Sequence, residues 1–262
     1  MLQVISPAQL AEYHANGFLV IDQLFSKPEV LAVRDNLTRL SDEADEYGNH
    51  PNPSLSIGFE HGPVDLPVDP RARELRIRKF MHFGQADHFF WSTVCHPVIR
   101  GIAEDVLGPG PQFLQSMALV KPPEIGSPKD WHQDTPYFPL DRTDAALGFW
   151  IALDDATLEN GCMQVIPGSH IGGEAPHIQG PTGWKFPDAT VAANAHRVQA
   201  LPMSAGSALV FSPLLWHFTD QNRTQHRRRA LQYHFVSADT TSLQPSVPLW
   251  PLVGRAPKAL VP

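Results

Sequence analysis

Prolines constrain the fold of this chain more than any other feature, because 26 of them are spread along its 262 residues. A proline breaks the interior of a helix, but it is tolerated in the first turn of a helix and in the turns between strands. The chain is therefore unsuited to a helical bundle. Prolines scattered in this way favour many short strands joined by turns.

Two capping boxes predict the first helices. Ser-Pro-Ala-Gln at 6–9 and Ser-Lys-Pro-Glu at 26–29 each place a capping serine three residues before a glutamine or glutamate, with proline in the first turn. The helices that they open are predicted to end near Asn16 and Asp45. A third helix is predicted over 97–107, before Gly-Pro-Gly.

From residue 112 onward the sequence has short runs rich in β-branched and aromatic side chains, and these runs predict short strands. Five runs have this character, bounded by Pro, Gly, Asp or Asn: 113–120, 147–153, 163–166, 208–211 and 229–236. We therefore predict a single domain with a mostly helical part over 1–111, an antiparallel sandwich or barrel core over 112–240 and a C-terminal extension over 241–262.

Three further segments complete the prediction. Residues 18–21 form a short apolar run after Gly17 and predict a strand. The polar stretch 47–73 and the Gly-, Pro- and Ala-rich stretch 172–195 lack periodicity and are predicted to be loops. Long loops in compact domains are often binding loops or lids.

Charge and composition exclude several classes of protein. The chain has 20 Lys and Arg against 27 Asp and Glu, a net charge of −7, which argues against a partner made of nucleic acid or anionic membrane. No apolar run approaches the ~18 residues that span a bilayer, and no signal peptide is visible. Two cysteines cannot build a disulfide framework. We expect a cytoplasmic protein with reduced thiols, as a monomer or homodimer.

One pair among the 13 histidines and the carboxylates has the spacing of metal ligands. In an extended segment residues i and i+2 point to the same side, so His132 and Asp134 can present an imidazole and a carboxylate to one point. His217, after a predicted strand, is a candidate third ligand. Two histidines and one carboxylate are the ligands of non-haem Fe(II) oxygenases. A His-x-Asp pair alone is weak evidence for such a site.

The surrounding sequence resembles the phytanoyl-CoA dioxygenase family over nearly the whole chain. The similar blocks are Lys-Pro-Pro at 121–123, Trp-His-Gln-Asp-Thr-Pro-Tyr at 131–137, Trp-Ile-Ala-Leu-Asp-Asp-Ala at 150–156, Glu-Asn-Gly-Cys-Met-Gln-Val-Ile-Pro-Gly-Ser-His at 159–170, and His217 followed by Asn222 and Arg228. The resemblance implies a mainly β fold, a double-stranded β-helix (jelly roll, cupin-like) with the N-terminal helices packed on one sheet.

The resemblance also implies the roles of individual residues. His132, Asp134 and His217 match the iron ligands, and Arg228 matches the arginine that binds the distal carboxylate of 2-oxoglutarate. A guanidinium suits that role because it binds a carboxylate through two parallel hydrogen bonds and stays charged. Lys121 and Trp150 fall where the family lines the co-substrate site. His170 matches a structural histidine near the site that does not bind iron.

Pattern alone leaves open which arginine faces the metal. In the run 227–236 the odd-numbered residues include Leu231, Tyr233 and Phe235, so an apolar inner face would point Arg229 inward. If helices cover the outer face of the sheet, however, that face is apolar as well, and Arg228 can then face inward. The family spacing favours Arg228.

The resemblance implies an Fe(II)- and 2-oxoglutarate-dependent dioxygenase that uses O2 to hydroxylate an unactivated C–H bond of a small molecule, releasing succinate and CO2. The halogenases of this kind have a small residue in place of the carboxylate ligand, so Asp134 favours hydroxylation. Desaturation, cyclisation or epimerisation by the same chemistry is an alternative. A jelly-roll binding protein without turnover and a zinc hydrolase are rivals from other classes.

Substrate contacts are expected from four residues around the predicted site: Tyr137, Phe138, Trp184 and His234. The first two follow the predicted ligands in sequence. Trp184 and Phe186 lie in the predicted loop over 172–195, which has glycines that would let it close over a ligand.

Overall fold

The computed structural model describes residues 3–60, 62 and 66–252. Its α-helices are α1 (Pro7–Asn16), α2 (Lys27–Glu43), α3 (Pro70–Glu74), α4 (His88–Val94), α5 (Pro97–Leu107) and α6 (Asp188–Asn194). Its strands are β1 (Phe18–Ile21), β2 (Ser56–Phe59), β3 (Ile77–Met81), β4 (Gln112–Lys121), β5 (Lys129–His132), β6 (Ala146–Ala152), β7 (Met163–Val165), β8 (Ile178–Gly180), β9 (Gly183–Lys185), β10 (Gln199–Leu201), β11 (Ala208–Phe211), β12 (His217–Thr219), β13 (Arg228–Val236) and β14 (Trp250–Pro251).

Two antiparallel sheets face each other. The large sheet has the order β1-β11-β6-β13-β4-β3-β2, with β14 also paired to β4, and the small sheet has the order β10-β7-β12-β5. Apolar side chains from both sheets fill the space between them, including Trp150 and Leu209 from the large sheet and Val165 and Leu201 from the small one. The predicted mainly β jelly roll is confirmed, although the sheets do not close into a barrel.

The large sheet is buried on both faces. On its outer face Leu231, Tyr233 and Phe235 share a core with Val33 of α2 and Ile102 of α5. The N-terminal helices therefore pack on one sheet, as expected. The even-numbered residues of β13 face the small sheet, which places Arg228 inside. Arg229 points outward and pairs with Asp154 at 2.8 Å.

The first strand joins the large sheet beside a strand from the far end of the sequence. Strand β1 lies at the end of the sheet order and pairs with β11, with Phe18 opposite Phe211. The loop after β7 holds the end of α1, because Gly168 N donates to Asn16 O at 2.8 Å and His170 Nε2 lies 3.1 Å from His14 O. This contact of His170 is structural.

Both predicted loops are partly wrong. The stretch 47–73 contains β2 and most of α3, and the stretch 172–195 contains the hairpin β8-β9 and α6. These elements are three to seven residues long, which is too short for periodicity to appear. Phe186, expected to be exposed on a lid, is 1% exposed and packs on His177 and Trp216. Part of the predicted C-terminal extension, 253–262, lies outside the described residues.

No helix among the residues described has both the length and the apolar character needed to cross a membrane.

Candidate active site

Three buried side chains converge where β5 meets β12. His132 ends β5, His217 begins β12 directly opposite it, and Asp134 lies in the turn that follows β5. The Oδ1 atom of Asp134 is 3.3 Å from His132 Nε2 and 3.6 Å from His217 Nε2. Their potential ligand atoms all lie within 4.8 Å of one another, which is close enough to hold one metal ion. The structure thus brings together the three residues that the sequence pointed to.

The backbone orients both imidazoles toward the centre of this group. His132 Nδ1 lies 2.7 Å from Asp130 O, and His217 Nδ1 lies 2.9 Å from Leu215 O. A carbonyl oxygen only accepts, so each Nδ1 carries the proton and each Nε2 keeps its lone pair for a metal. Burial, with the nearby His217, also lowers the pKa of His132 to about 4, so this imidazole is neutral near pH 7.

Asp134 is ionised despite its burial. Burial alone raises the pKa of this carboxyl, but its interactions with the imidazoles of His217, His132 and His234 outweigh burial and hold the pKa well below the usual range. Two imidazoles and one carboxylate would suit Fe(II), and they would leave three positions of an octahedron open. Within the described residues this is the group of histidine, cysteine and carboxylate side chains that fits a metal ion.

A buried guanidinium lies farther along the same inner face. Arg228 is 1% exposed, and its guanidinium donates hydrogen bonds to two backbone carbonyls, those of Gly161 at 3.3 Å and Leu119 at 3.5 Å. Its Nε has no hydrogen-bond partner among the described residues, and neither has Trp150 Nε1. The guanidinium carbon lies 5.2 Å from the Trp150 ring centroid. Burial lowers the pKa of Arg228 to about 10, which leaves it charged.

Lys121 lies opposite Arg228 in the pairing of β4 with β13. Its Nζ donates to Ser127 O at 2.6 Å. Burial first, and then the charge of Arg228, hold the pKa of Lys121 well below its usual range. Asn222 fixes this end of β4, because its side-chain amide donates to Lys121 O at 3.0 Å and to His226 O at 2.7 Å.

The hairpin β8-β9 is fastened beside the metal ligands. The hydroxyl of Tyr137 accepts hydrogen bonds from Trp184 N at 2.7 Å and from Lys129 Nζ at 3.0 Å. The Tyr137 ring packs edge-on against His132, with centroids 6.4 Å apart. Gly183 has φ +109°, and a Cβ there would collide with the Tyr137 hydroxyl, so this turn needs glycine. Tyr137 and the half-buried Trp184 thus lie together near the site.

Phe138 and His234, also expected to contact substrate, lie behind Asp134. Phe138 is 7% exposed and His234 is fully buried, with their ring centroids 4.8 Å apart. His234 Nε2 lies 3.0 Å from Asp134 Oδ2. The structure places His234 against the ligand carboxylate and Phe138 against the ring of His234, and neither side chain is exposed.

Several residues near the site were not singled out by the sequence. Gln232 Nε2 donates to Asp134 Oδ2 at 3.0 Å. On the inner face, Gln232 is paired with Met117 of β4, and Met117 is paired with Met81 of β3. Both methionines are half-buried. Alternation within β13 could have indicated Gln232, because it shares a face with Arg228. Met81 had no such signal, since β3 was not predicted.

The comparisons with known proteins agree with this arrangement. The family model described as phytanoyl-CoA dioxygenase (PhyH) matches residues 13–230. A mouse protein named phytanoyl-CoA dioxygenase domain-containing protein 1 is 28% identical, over 92% of this chain and 93% of its own length. The human protein named phytanoyl-CoA dioxygenase, peroxisomal, is 31% identical, over 90% of this chain and 70% of its own length. With a peroxisomal relative, the cytoplasmic location stays a prediction.

The fold is shared with solved structures. One is described as the epimerase SnoN from nogalamycin biosynthesis. The crystal structure of that epimerase in complex with Fe3+, alpha ketoglutarate and nogalamycin RO is 20% identical to this chain, with a TM-score of 0.70. The match covers 95% of this chain and 94% of that one.

Proposed function

Because this chain belongs to the phytanoyl-CoA dioxygenase family of Fe(II)- and 2-oxoglutarate-dependent oxygenases, we propose that it hydroxylates an unactivated C–H bond of a small molecule, with release of succinate and CO2. The cofactors are Fe(II), 2-oxoglutarate and O2. In this proposal His132, Asp134 and His217 hold the metal, and Arg228 binds the far carboxylate of 2-oxoglutarate.

The observation that carries the proposal is a buried guanidinium, without an ion pair among the described residues, on the same face as a metal-binding group. Arg228 is four residues before Gln232, whose amide contacts Asp134, so the two are about 13 Å apart along the strand. The arginine side chain and a five-carbon diacid together span such a distance. A buried charge without a partner is costly, and a carboxylate ligand removes that cost.

Each residue then has a physical task. The two Nε2 atoms and Oδ1 of Asp134 bind the metal, which when bound supplies the oxidising chemistry with 2-oxoglutarate and O2. Arg228 orients the co-substrate through paired hydrogen bonds, and the Trp150 ring fixes the guanidinium plane. Lys121, paired with Arg228 across the strands, supplies a further hydrogen-bond donor at that end. The burial of all these side chains keeps water away from the reacting centre.

The reaction outcome depends on where the substrate lies. Asp134 as a ligand favours hydroxylation over halogenation, and hydroxylation is our proposal. Epimerisation is a second candidate, because a neighbour of the same fold is described as an epimerase. We propose that Tyr137 and Trp184 contact the substrate, since the hairpin that they fasten lies beside the metal ligands.

Anaerobic titration of the Fe(II) protein with 2-oxoglutarate tests this function. We expect a visible charge-transfer band to appear, because the co-substrate chelates the iron, and succinate release in air that small acids or natural products stimulate. Succinate, which lacks the keto group, is the matched control ligand and should give no band. A zinc hydrolase or a silent binding protein would show neither the band nor the succinate, and that result would reject the proposal.

The fastening of the hairpin gives a further prediction. Tyr137→Phe removes the hydroxyl that accepts from Trp184 N and Lys129, so amide hydrogen exchange over 178–185 should become faster by roughly fivefold to tenfold, the effect of one hydrogen bond. Exchange measured by mass spectrometry checks this. The exposed Tyr47→Phe is the control. Unchanged exchange in Tyr137→Phe would mean that this hydroxyl does not hold the hairpin.

A further inference from the structure

The two oxygens of Asp134 have different surroundings. Oδ1 faces the Nε2 atoms of His132 and His217, at 3.3 and 3.6 Å. Oδ2 faces the opposite way, where Gln232 Nε2 and His234 Nε2 each lie 3.0 Å from it. One oxygen is thus directed at the metal position and the other at the large sheet.

Asp134 fixes a proton on His234 Nε2. The carboxylate oxygen Oδ2 only accepts and lies 3.0 Å from Nε2, so Nε2 donates to it. On the other side of the ring, the amide nitrogen of Gln115 lies 3.3 Å from Nδ1 and donates to it. The amide nitrogen of Gln232, 3.3 Å from Nε2, then donates to Oδ2 and not to this nitrogen. Phe138 and Phe211 pack edge-on against this ring, with centroids 4.8 and 6.0 Å away, and hold its plane. The ring is fully buried, so water does not compete for these bonds.

Gln232 supplies a second donor to the same oxygen. It is 5% exposed and lies two residues before His234, on the same face of β13. Two N–H groups directed at Oδ2 use its lone pairs. Buried donors that lose such an acceptor cost free energy, so Oδ2 is held away from a second bond to the metal.

We infer that His234 and Gln232 are positioning residues that keep Asp134 bound to the metal through Oδ1 alone. The inference rests on the proposed function. In an octahedral site two histidines and a monodentate carboxylate leave three positions, two for 2-oxoglutarate and one for O2. A carboxylate that bound through both oxygens would leave only two, and the co-substrate would fill them. These two residues therefore preserve the position for O2.

Four variants isolate this role. His234→Leu and Gln232→Leu remove a donor and keep bulk, whereas His234→Gln keeps a donor at the same number of bonds from Cα. Tyr233→Phe is the matched control, because Tyr233 is on the same strand but faces outward, with its hydroxyl 2.6 Å from Thr93. Thermal unfolding of the metal-free proteins reports any general loss of stability in each variant.

Nitric oxide, a stable analogue of O2, is the probe. Its binding to the anaerobic Fe(II) protein is measured by electron paramagnetic resonance, with and without 2-oxoglutarate. With 2-oxoglutarate, the two leucine variants should bind it about tenfold more weakly than the wild type, an effect of the size seen for residues behind metal ligands. Without 2-oxoglutarate, binding should change little. His234→Gln and Tyr233→Phe should match the wild type in both states.

Two results would overturn the inference. One is wild-type binding of nitric oxide by both leucine variants in the presence of 2-oxoglutarate. The other is an equal loss with and without 2-oxoglutarate, which would indicate general damage to the metal site. Failure of the proposed function is seen separately, since the wild type would then give no charge-transfer band with 2-oxoglutarate.

Discussion

Replacing Asp134 by alanine is expected to abolish turnover and to reduce metal binding severely. The site offers three ligands, and this change leaves only the two imidazoles of His132 and His217. It also deprives Gln232 and His234 of their acceptor, which costs about 1–3 kcal/mol of folding stability. Succinate production and competition with a chelator for Fe(II) measure the two losses, and circular dichroism checks that the fold remains.

Two further variants separate the loss of a ligand from the loss of the fold. Asp134→Asn keeps the volume and an oxygen for Gln232 and His234, but its neutral amide is a poor ligand for Fe(II), so turnover should still be lost. His226→Ala, at an exposed position, should behave as the wild type. Near-normal turnover by Asp134→Ala would contradict the assignment of the metal ligands.

Replacing Arg228 by alanine should raise the KM for 2-oxoglutarate by one or more orders of magnitude. The loss corresponds to a desolvated charge pair worth about 2–5 kcal/mol. Its effect is large because Arg228 is 1% exposed and no other charged partner holds its guanidinium among the described residues. Steady-state kinetics and titration of the charge-transfer band measure the change in affinity.

The neighbouring arginine is the matched control for this experiment. Arg229 points outward and binds Asp154, so Arg229→Ala should lower thermal stability and leave the affinity for 2-oxoglutarate unchanged. Arg228→Lys keeps the charge but loses the planar fork, and its affinity should be intermediate. A large loss of affinity in Arg229→Ala, with none in Arg228→Ala, would contradict the role proposed for Arg228.

Strands β4, β6, β7, β11 and β13 of the core could be predicted because turn residues bound each apolar run. Their faces could not, and β13 shows why. Leu231, Tyr233 and Phe235 are as apolar as an inner face should be, yet they pack on the helices outside the sheet. Composition cannot distinguish two buried faces of one strand. Family spacing favoured Arg228 for the inner face, and the structure places it there.

The residues that contact the metal ligands could not be predicted from the sequence, for a different reason. His132 and Asp134 are two residues apart, so local geometry brings them together. The contact of Asp134 with Gln232 and His234 instead depends on how β13 lies behind the turn that follows β5, about a hundred residues away in the chain. Strands β2, β3, β5, β8, β9, β10 and β12 were missed because each has only three to five residues.

The strand order has a consequence for synthesis of the protein. Strand β13, which begins at residue 228, lies between β6 and β4 at the middle of the large sheet. While it is still inside the ribosome, β6 and β4 have emerged with unpaired edges, and such edges attract strands of other chains. The two halves of this sheet are therefore joined only after residues 228–236 have left the ribosome. A chain that stopped before residue 228 would present two incomplete half-sheets prone to aggregation.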